Sequence, residues 1–149
     1  MTGDLRDLYQ EVIFDHYKRP RNCGPLEHAS HHAEGHNPLC GDRVTVYLKV
    51  DGDVVRDVRF EGTGCAIATA SASLMTEALK GRRIDEVEAL FRSFHDMVTD
   101  APASASSDLG KLEVLSGVRE FPARVKCATL AWHTLNAALA RRQQPVSTE

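Results

Sequence analysis

From Arg43 to Val50 apolar and polar residues alternate without a break: Val44, Val46, Leu48 and Val50 against Arg43, Thr45, Tyr47 and Lys49. That is the pattern of a strand with one buried and one wet face. Asp51-Gly52-Asp53 is a tight-turn signal. Val54, Val58 and Phe60 then place apolar groups on one face of a return strand, which Arg56 interrupts. An antiparallel hairpin is expected here. Directly ahead of it stands Asn37-Pro38-Leu39-Cys40-Gly41-Asp42, which puts a thiol and a carboxylate one residue apart in a turn.

The flanking segments read as helices. Over residues 4–18, Leu5, Leu8, Tyr9, Val12, Ile13 and Tyr17 recur at helical spacing, with Asp4 as cap and Pro20 as stop. His16 falls in the last turn and reads as a capping or packing histidine. After Glu61-Gly62-Thr63-Gly64 breaks the second strand, a run of small residues from Cys65 predicts a helix to about Lys80, ending at Gly81. Cys65 stands at its N-terminus, where free N–H groups and the helix dipole favour an anionic sulfur.

Residues 84–98 repeat the helical pattern with Ile84, Val87, Leu90, Phe91, Phe94, Met97 and Val98. Residues 99–108 are rich in Ala and Ser and read as a flexible connection. Leu109, Leu112, Leu115 and Val118 hint at a helical turn or two. Pro122 opens a last helix through Val125, Leu130, Leu135 and Leu139, with Cys127 in its first turns. Residues 141–149 read as a flexible tail, and no repeat or second domain interrupts 1–149.

The stretch 19–37 is rich in Pro, Gly, Asn and His. His28, His31, His32 and His36 suggest a metal cluster at first sight, but they share no fixed face, and a polar strand or loop is the preferred reading. Cys23 reads as a spare thiol or a small filler.

Composition excludes several functions. A net charge of −3 without a long basic run lacks the footprint of a nucleic-acid binder. No apolar run spans a bilayer, and the opening Met1-Thr2-Gly3-Asp4 has no signal-peptide pattern, so a cytoplasmic, non-membrane protein is expected. In a reducing cytosol, cysteines are buried, metal-bound or reactive more often than paired.

Cys40, Cys65, Cys127 and Asp42 offer three sulfurs and one carboxylate, a donor set that suits tetrahedral Zn²⁺. Spacing alone leaves another reading open: the thiols are buried without a ligand and Asp42 closes the turn. If a metal is bound, the carboxylate is a harder and less well matched ligand than a thiolate, so the site opens more readily than a four-cysteine site. Cys40, on a turn, is the donor that moves with least disruption, and a metal keeps its sulfur deprotonated and nucleophilic.

The chain resembles the U-type iron–sulfur cluster assembly proteins, the group of IscU, SufU and the N-terminal part of NifU. The likeness runs from about Leu5 to Leu139. It rests on Asp15-His16-Tyr17 with Arg19-Pro20-Arg21-Asn22, on Asn37 to Asp42, on Gly62-Thr63-Gly64-Cys65-Ala66-Ile67-Ala68 followed by Ala70-Ser71, and on Arg124-Val125-Lys126-Cys127 with Leu130, Trp132 and Leu135. The resemblance implies an α+β domain, a small antiparallel sheet packed against several helices with a metal site at one end. It implies metal ligation by Cys40, Asp42, Cys65 and Cys127, and a pyridoxal-phosphate (PLP)-dependent cysteine desulfurase as partner.

Departures within the family point to a branch. The scaffold branch has a histidine just before the last cysteine, and here that residue is Lys126. Its Leu-Pro-Pro-Val-Lys chaperone-docking motif is replaced by Glu120-Phe121-Pro122-Ala123-Arg124. The long interval from Cys65 to Cys127 looks like the insertion of the SufU branch. The resemblance therefore implies a zinc-dependent sulfur acceptor, with Cys40 taking persulfide sulfur after a ligand exchange, Arg124 in support, and downstream iron–sulfur scaffold proteins as recipients. The alternatives are a scaffold for a transient iron–sulfur cluster and a structural zinc module.

Overall fold

The computed structural model describes residues 5–38, 41–99, 109–140 and 146–147. Helix α1 (Leu5–Lys18) leads into strands β1 (His31–Asn37), β2 (Asp42–Asp51) and β3 (Val54–Thr63). Helices α2 (Ala66–Leu79) and α3 (Ile84–Thr99), a 3₁₀ segment (Gly110–Glu120), helix α4 (Pro122–Leu139) and the two-residue strand β4 (Val146–Ser147) follow. The sheet order is β3-β2-β1-β4, antiparallel except where β4 joins β1 at Gly35 and His36. This is the expected α+β arrangement.

The hairpin forms as its alternation dictates. Val44, Val46 and Leu48 of β2 face the core. The return strand differs from expectation in phase. Leu48 pairs with Val58 but Val50 pairs with Val55, a register shift of one residue. That bulge inserts Arg56 and flips the side-chain phase, so Val55, not Val54, is fully buried beside Val58 and Phe60.

Strand β1 is the polar stretch His31–Asn37, and its inward positions are Ala33, Gly35 and Asn37. Small residues are required because α4 lies close behind them. A Cβ on Gly35 would stand 2.1 Å from Thr134 Oγ1 and 3.2 Å from Leu130 Cδ1. Trp132 of α4 is fully buried and stacks on Phe94 of α3 at 4.5 Å between ring centroids. The 3₁₀ segment adds Leu112, Val114, Leu115 and Val118 to the same core.

Helix α1 turns a different stripe inward from the one its apolar residues suggest. Tyr9, Val12 and Ile13 pack on the core and His16 is buried, whereas Leu8 and Tyr17 are exposed. Positions 9, 12, 13 and 16 form one helical face, and Leu8 and Tyr17 flank it. The expected cap Asp4 lies outside the described residues.

His16 fastens α1 to α2. Its Nδ1 is 2.7 Å from Ser73 Oγ, which also accepts the Arg21 N–H at 2.9 Å. The other ring nitrogen, Nε2, stands 3.7 Å from Glu77 Oε1. Burial, reinforced by the Arg21 charge, holds the His16 pKa below the ordinary histidine value.

Two outcomes follow. Gly35→Ala should lower stability by roughly 1–3 kcal/mol through overpacking, read as a lower urea midpoint, and adding Thr134→Ala should recover part of the loss. His16 stays neutral in the fold, whereas in the unfolded chain it takes a proton near pH ~6.5. Stability should thus be complete above that pH and decline as pH falls toward the depressed folded pKa. Urea titrations at several pH values should show a shallower acid-side decline for His16→Gln. A slope unchanged by the substitution would remove His16 from the account.

Candidate metal centre

Asp42, Cys65 and Cys127 meet where three elements converge. Asp42 is the first residue of β2 and is 1% exposed. Cys65 is the N-cap of α2, with extended backbone, and its sulfur accepts the Ala68 N–H at 3.4 Å. Cys127 is buried in α4, with Sγ 3.6 Å from Ala123 O one turn earlier. One donor atom from each lies within 4.8 Å of the other two. Among the described residues no other group of three or more His, Cys, Asp or Glu converges in this way.

The local chain explains the convergence. Gly64 lets the turn between β3 and α2 pass the carboxylate, since a Cβ there would stand 3.0 Å from Asp42 Oδ1. That oxygen accepts the Cys65 N–H at 2.9 Å, which ties the start of β2 to the start of α2. Asp42 Oδ2 lies 3.8 Å from Cys65 Sγ. A buried carboxylate needs such partners, and a helix N-terminus supplies N–H groups with a favourable dipole. Pro122 begins α4, setting Cys127 in its second turn.

The donor set fits a zinc-sized ion. Tetrahedral zinc with Zn–S about 2.3 Å and Zn–O about 2.1 Å holds its ligand atoms roughly 3.5–3.8 Å apart. The Asp42 to Cys65 separation already has that value, and the whole triangle needs to contract by no more than about an ångström.

Cys40 lies outside the described residues. The loop that contains it is closed at both ends: Asn37 pairs with Asp42, and the Gly41 N–H donates to Asn37 O at 2.8 Å. Arg124 is exposed in the first turn of α4, three residues ahead of Cys127, and Lys126 is half-buried. Cys23 is exposed and its backbone bridges Phe60 of β3, apart from the converging group. His31, His32 and His36 are on β1, and His28 is in the preceding loop with φ of 61°. These histidines build no cluster among the described residues. His32 packs on Tyr47 instead, at 6.4 Å between ring centroids.

One feature beside the site was not visible in the sequence. Ser71 of α2 donates to the carbonyl of Ala128, the residue after Cys127, at 2.6 Å. The Trp132 indole N–H donates back to Ser71 Oγ at 3.3 Å.

The comparisons with known proteins agree with this geometry. The family model described as "NifU-like N terminal domain" matches residues 8–128. The chain is 47% identical over 142 residues to the zinc-dependent sulfurtransferase SufU of Bacillus subtilis (strain 168), covering 95% of this chain and 96% of that protein. It is 42% identical over 137 residues to the iron–sulfur cluster assembly scaffold protein IscU of Streptococcus pyogenes serotype M1, covering 92% and 86%. The crystal structure of a putative iron–sulfur cluster assembly scaffold protein for the SUF system from Fervidobacterium islandicum AW-1 superposes with a TM-score of 0.82 at 36% identity, covering 90% of this chain and 98% of that one. The fold, the converging donors and the matched span agree: the chain belongs to the NifU-like N-terminal domain family, alongside the SufU and IscU proteins of iron–sulfur cluster assembly.

Proposed function

We propose that the protein is a zinc-dependent sulfur acceptor that takes persulfide sulfur from a PLP-dependent cysteine desulfurase. The observation that carries this is the convergence of Asp42, Cys65 and Cys127 donor atoms within 4.8 Å, with Cys40 two residues before Asp42 in the sequence. Cys40 completes a set of three sulfurs and one carboxylate. The similarity to SufU across nearly the whole chain supports zinc as the ion. When bound, zinc stabilises thiolate over thiol at neutral pH.

The chain's own residues do the rest. Asp42 is held through Oδ1 by the Cys65 N–H and offers Oδ2 to the site. Cys65 caps α2 and Cys127 is fixed in α4, whereas Cys40 falls in sequence between β1 and β2. The Cys40 thiolate attacks the terminal sulfur of the desulfurase persulfide. A new S–S bond forms on Cys40, the old one breaks, and the desulfurase cysteine leaves as thiolate. The transferred sulfur keeps its proton and no external oxidant or reductant is consumed. Arg124, exposed at the head of α4, supplies positive charge near this anionic chemistry.

Cluster scaffolding on the same thiolates is less well supported. Where the scaffold branch has a histidine, this chain has Lys126, whose charged ammonium has no lone pair for a metal. A purely structural zinc module is opposed by the packing. Trp132, Phe94, Leu48 and Val46 belong to one apolar core of a size that favours folding without a metal.

Under a mild reductant, alanine release by the cognate desulfurase should rise on adding the zinc-loaded protein and saturate with its concentration. Cys40→Ala should abolish the rise while circular dichroism stays native. A Cys40→Ala variant that still stimulates and accepts sulfur would reject the assignment. Removing zinc should leave a folded domain that melts at lower temperature. Free zinc at 1,000 times its dissociation constant should restore about 4 kcal/mol. Unfolding on chelation would favour the structural module instead.

A further inference from the structure

We propose that Ser71 is a positioning residue for the metal centre: its hydroxyl is the strut that fixes how far Cys65 on α2 stands from Cys127 on α4. The inference rests on reading Asp42, Cys65 and Cys127 as metal donors.

The two sulfurs come from different helices. Apolar burial is non-directional and by itself aims no atom of one helix at an atom of the other. A metal does not, since ligand distances are set within about 0.2 Å. A directional contact near the sulfurs is therefore needed to fix the register of α2 against α4. Ser71 provides it. Its Oγ donates to Ala128 O at 2.6 Å and accepts the Trp132 Nε1–H at 3.3 Å, and both side chains are fully buried.

The placement of this bond argues against a filler role. Buried hydroxyls in helices usually return their proton to the preceding turn of the same helix. Thr129 does so to Val125 O at 2.9 Å, and Thr134 to Leu130 O at 2.8 Å. Ser71 instead sends its proton across to α4, to the carbonyl of the residue next to Cys127. On its own helix it stands six residues past Cys65, about 9 Å along the axis. The indole N–H of Trp132 ends on Ser71 Oγ, so the hydroxyl is the group that carries the link on to Ala128 O.

Cobalt(II) reports the geometry, because its visible d–d bands and sulfur charge-transfer bands respond to ligand number and arrangement. Wild type, Ser71→Ala and Trp132→Phe would be compared by cobalt spectrum, by zinc affinity in competition with a chromophoric chelator, and by melting of the metal-free protein. Ser71→Ala should bind zinc roughly 10–100-fold more weakly, the range seen for lost supports behind metal ligands, and shift the cobalt bands. Trp132→Phe keeps the Ser71 to Ala128 bond. It should melt at lower temperature yet retain the wild-type spectrum and affinity.

Should Ser71→Ala fail to fold, Ser71→Cys retains the side-chain bulk with a weak donor and should show the same direction of change. Wild-type spectrum and affinity in the folded Ser71 variant would overturn the proposal. So would a Trp132→Phe variant that reproduces the spectral shift, since general packing would then suffice. A wild-type protein without cobalt–thiolate bands would sink the metal-centre reading itself, a result separable from failure of the strut alone.

Discussion

The seat of α4 governs this molecule. The helix lies against β1 at the distance Gly35 allows, against α3 through the Trp132–Phe94 stack, and against α2 through the Ser71 hydroxyl. Cys127 rides on that helix, Cys65 caps α2 and Asp42 begins β2. Of the three contacts, the Ser71 bond is the one made beside Cys127, between the two elements that carry the sulfurs. Close-packed interiors transmit displacement instead of absorbing it. A methyl group at residue 35, far from Cys127 in sequence, pushes on the same helix that carries the sulfur.

How much of this the sequence discloses depends on the range of the interaction. The period-two pattern from Arg43 to Val50 depends on neighbours in the chain, and β2 formed as read. The N-terminal position of Cys65 followed from the glycines before it and the small residues after it, and Cys65 caps α2. Strand β1 was legible only as a polar strand or loop, because its inward residues are Ala33, Gly35 and Asn37. Their size answers to α4, which arrives about a hundred residues later, and the run His32-Ala33-Glu34-Gly35-His36 carries no apolar alternation. The bulge at Arg56 hid the true phase of β3, since one inserted residue moves Val55 inward in place of Val54. In α1 the buried His16 replaced an apolar residue in the stripe, so a search for apolar spacing chose Leu8 and Tyr17 instead.

The hydrogen bonds that position the site were the least legible part. Ser71 to Ala128 and His16 to Ser73 each join residues 57 apart, and each involves a side chain common in many roles. The candidate donors stood out in the sequence for the opposite reason. Thiols and a carboxylate beside turn glycines are uncommon company, and family resemblance supplied what spacing left open. The described residues bring Asp42, Cys65 and Cys127 together, while Cys40 enters the proposed set through its place in the loop between β1 and β2.

The carboxylate shows why the proposed centre is suited to work and not merely to hold a fold. In a small structural zinc domain the ligands find one another only when the metal arrives, and binding energy becomes folding energy. Here Asp42 already has a second task. Its Oδ1 accepts the Cys65 N–H, so β2 and α2 are joined at the site by the protein's own hydrogen bond. Gly64 clears the space that bond requires. The core behind it is apolar and continuous across the sheet and helices. A centre prepared in this way loses little structure when one donor leaves. Sulfur acceptance by a residue next to Asp42 asks for a frame of that kind, one that stays joined through Asp42 and Cys65 while a neighbouring thiol exchanges.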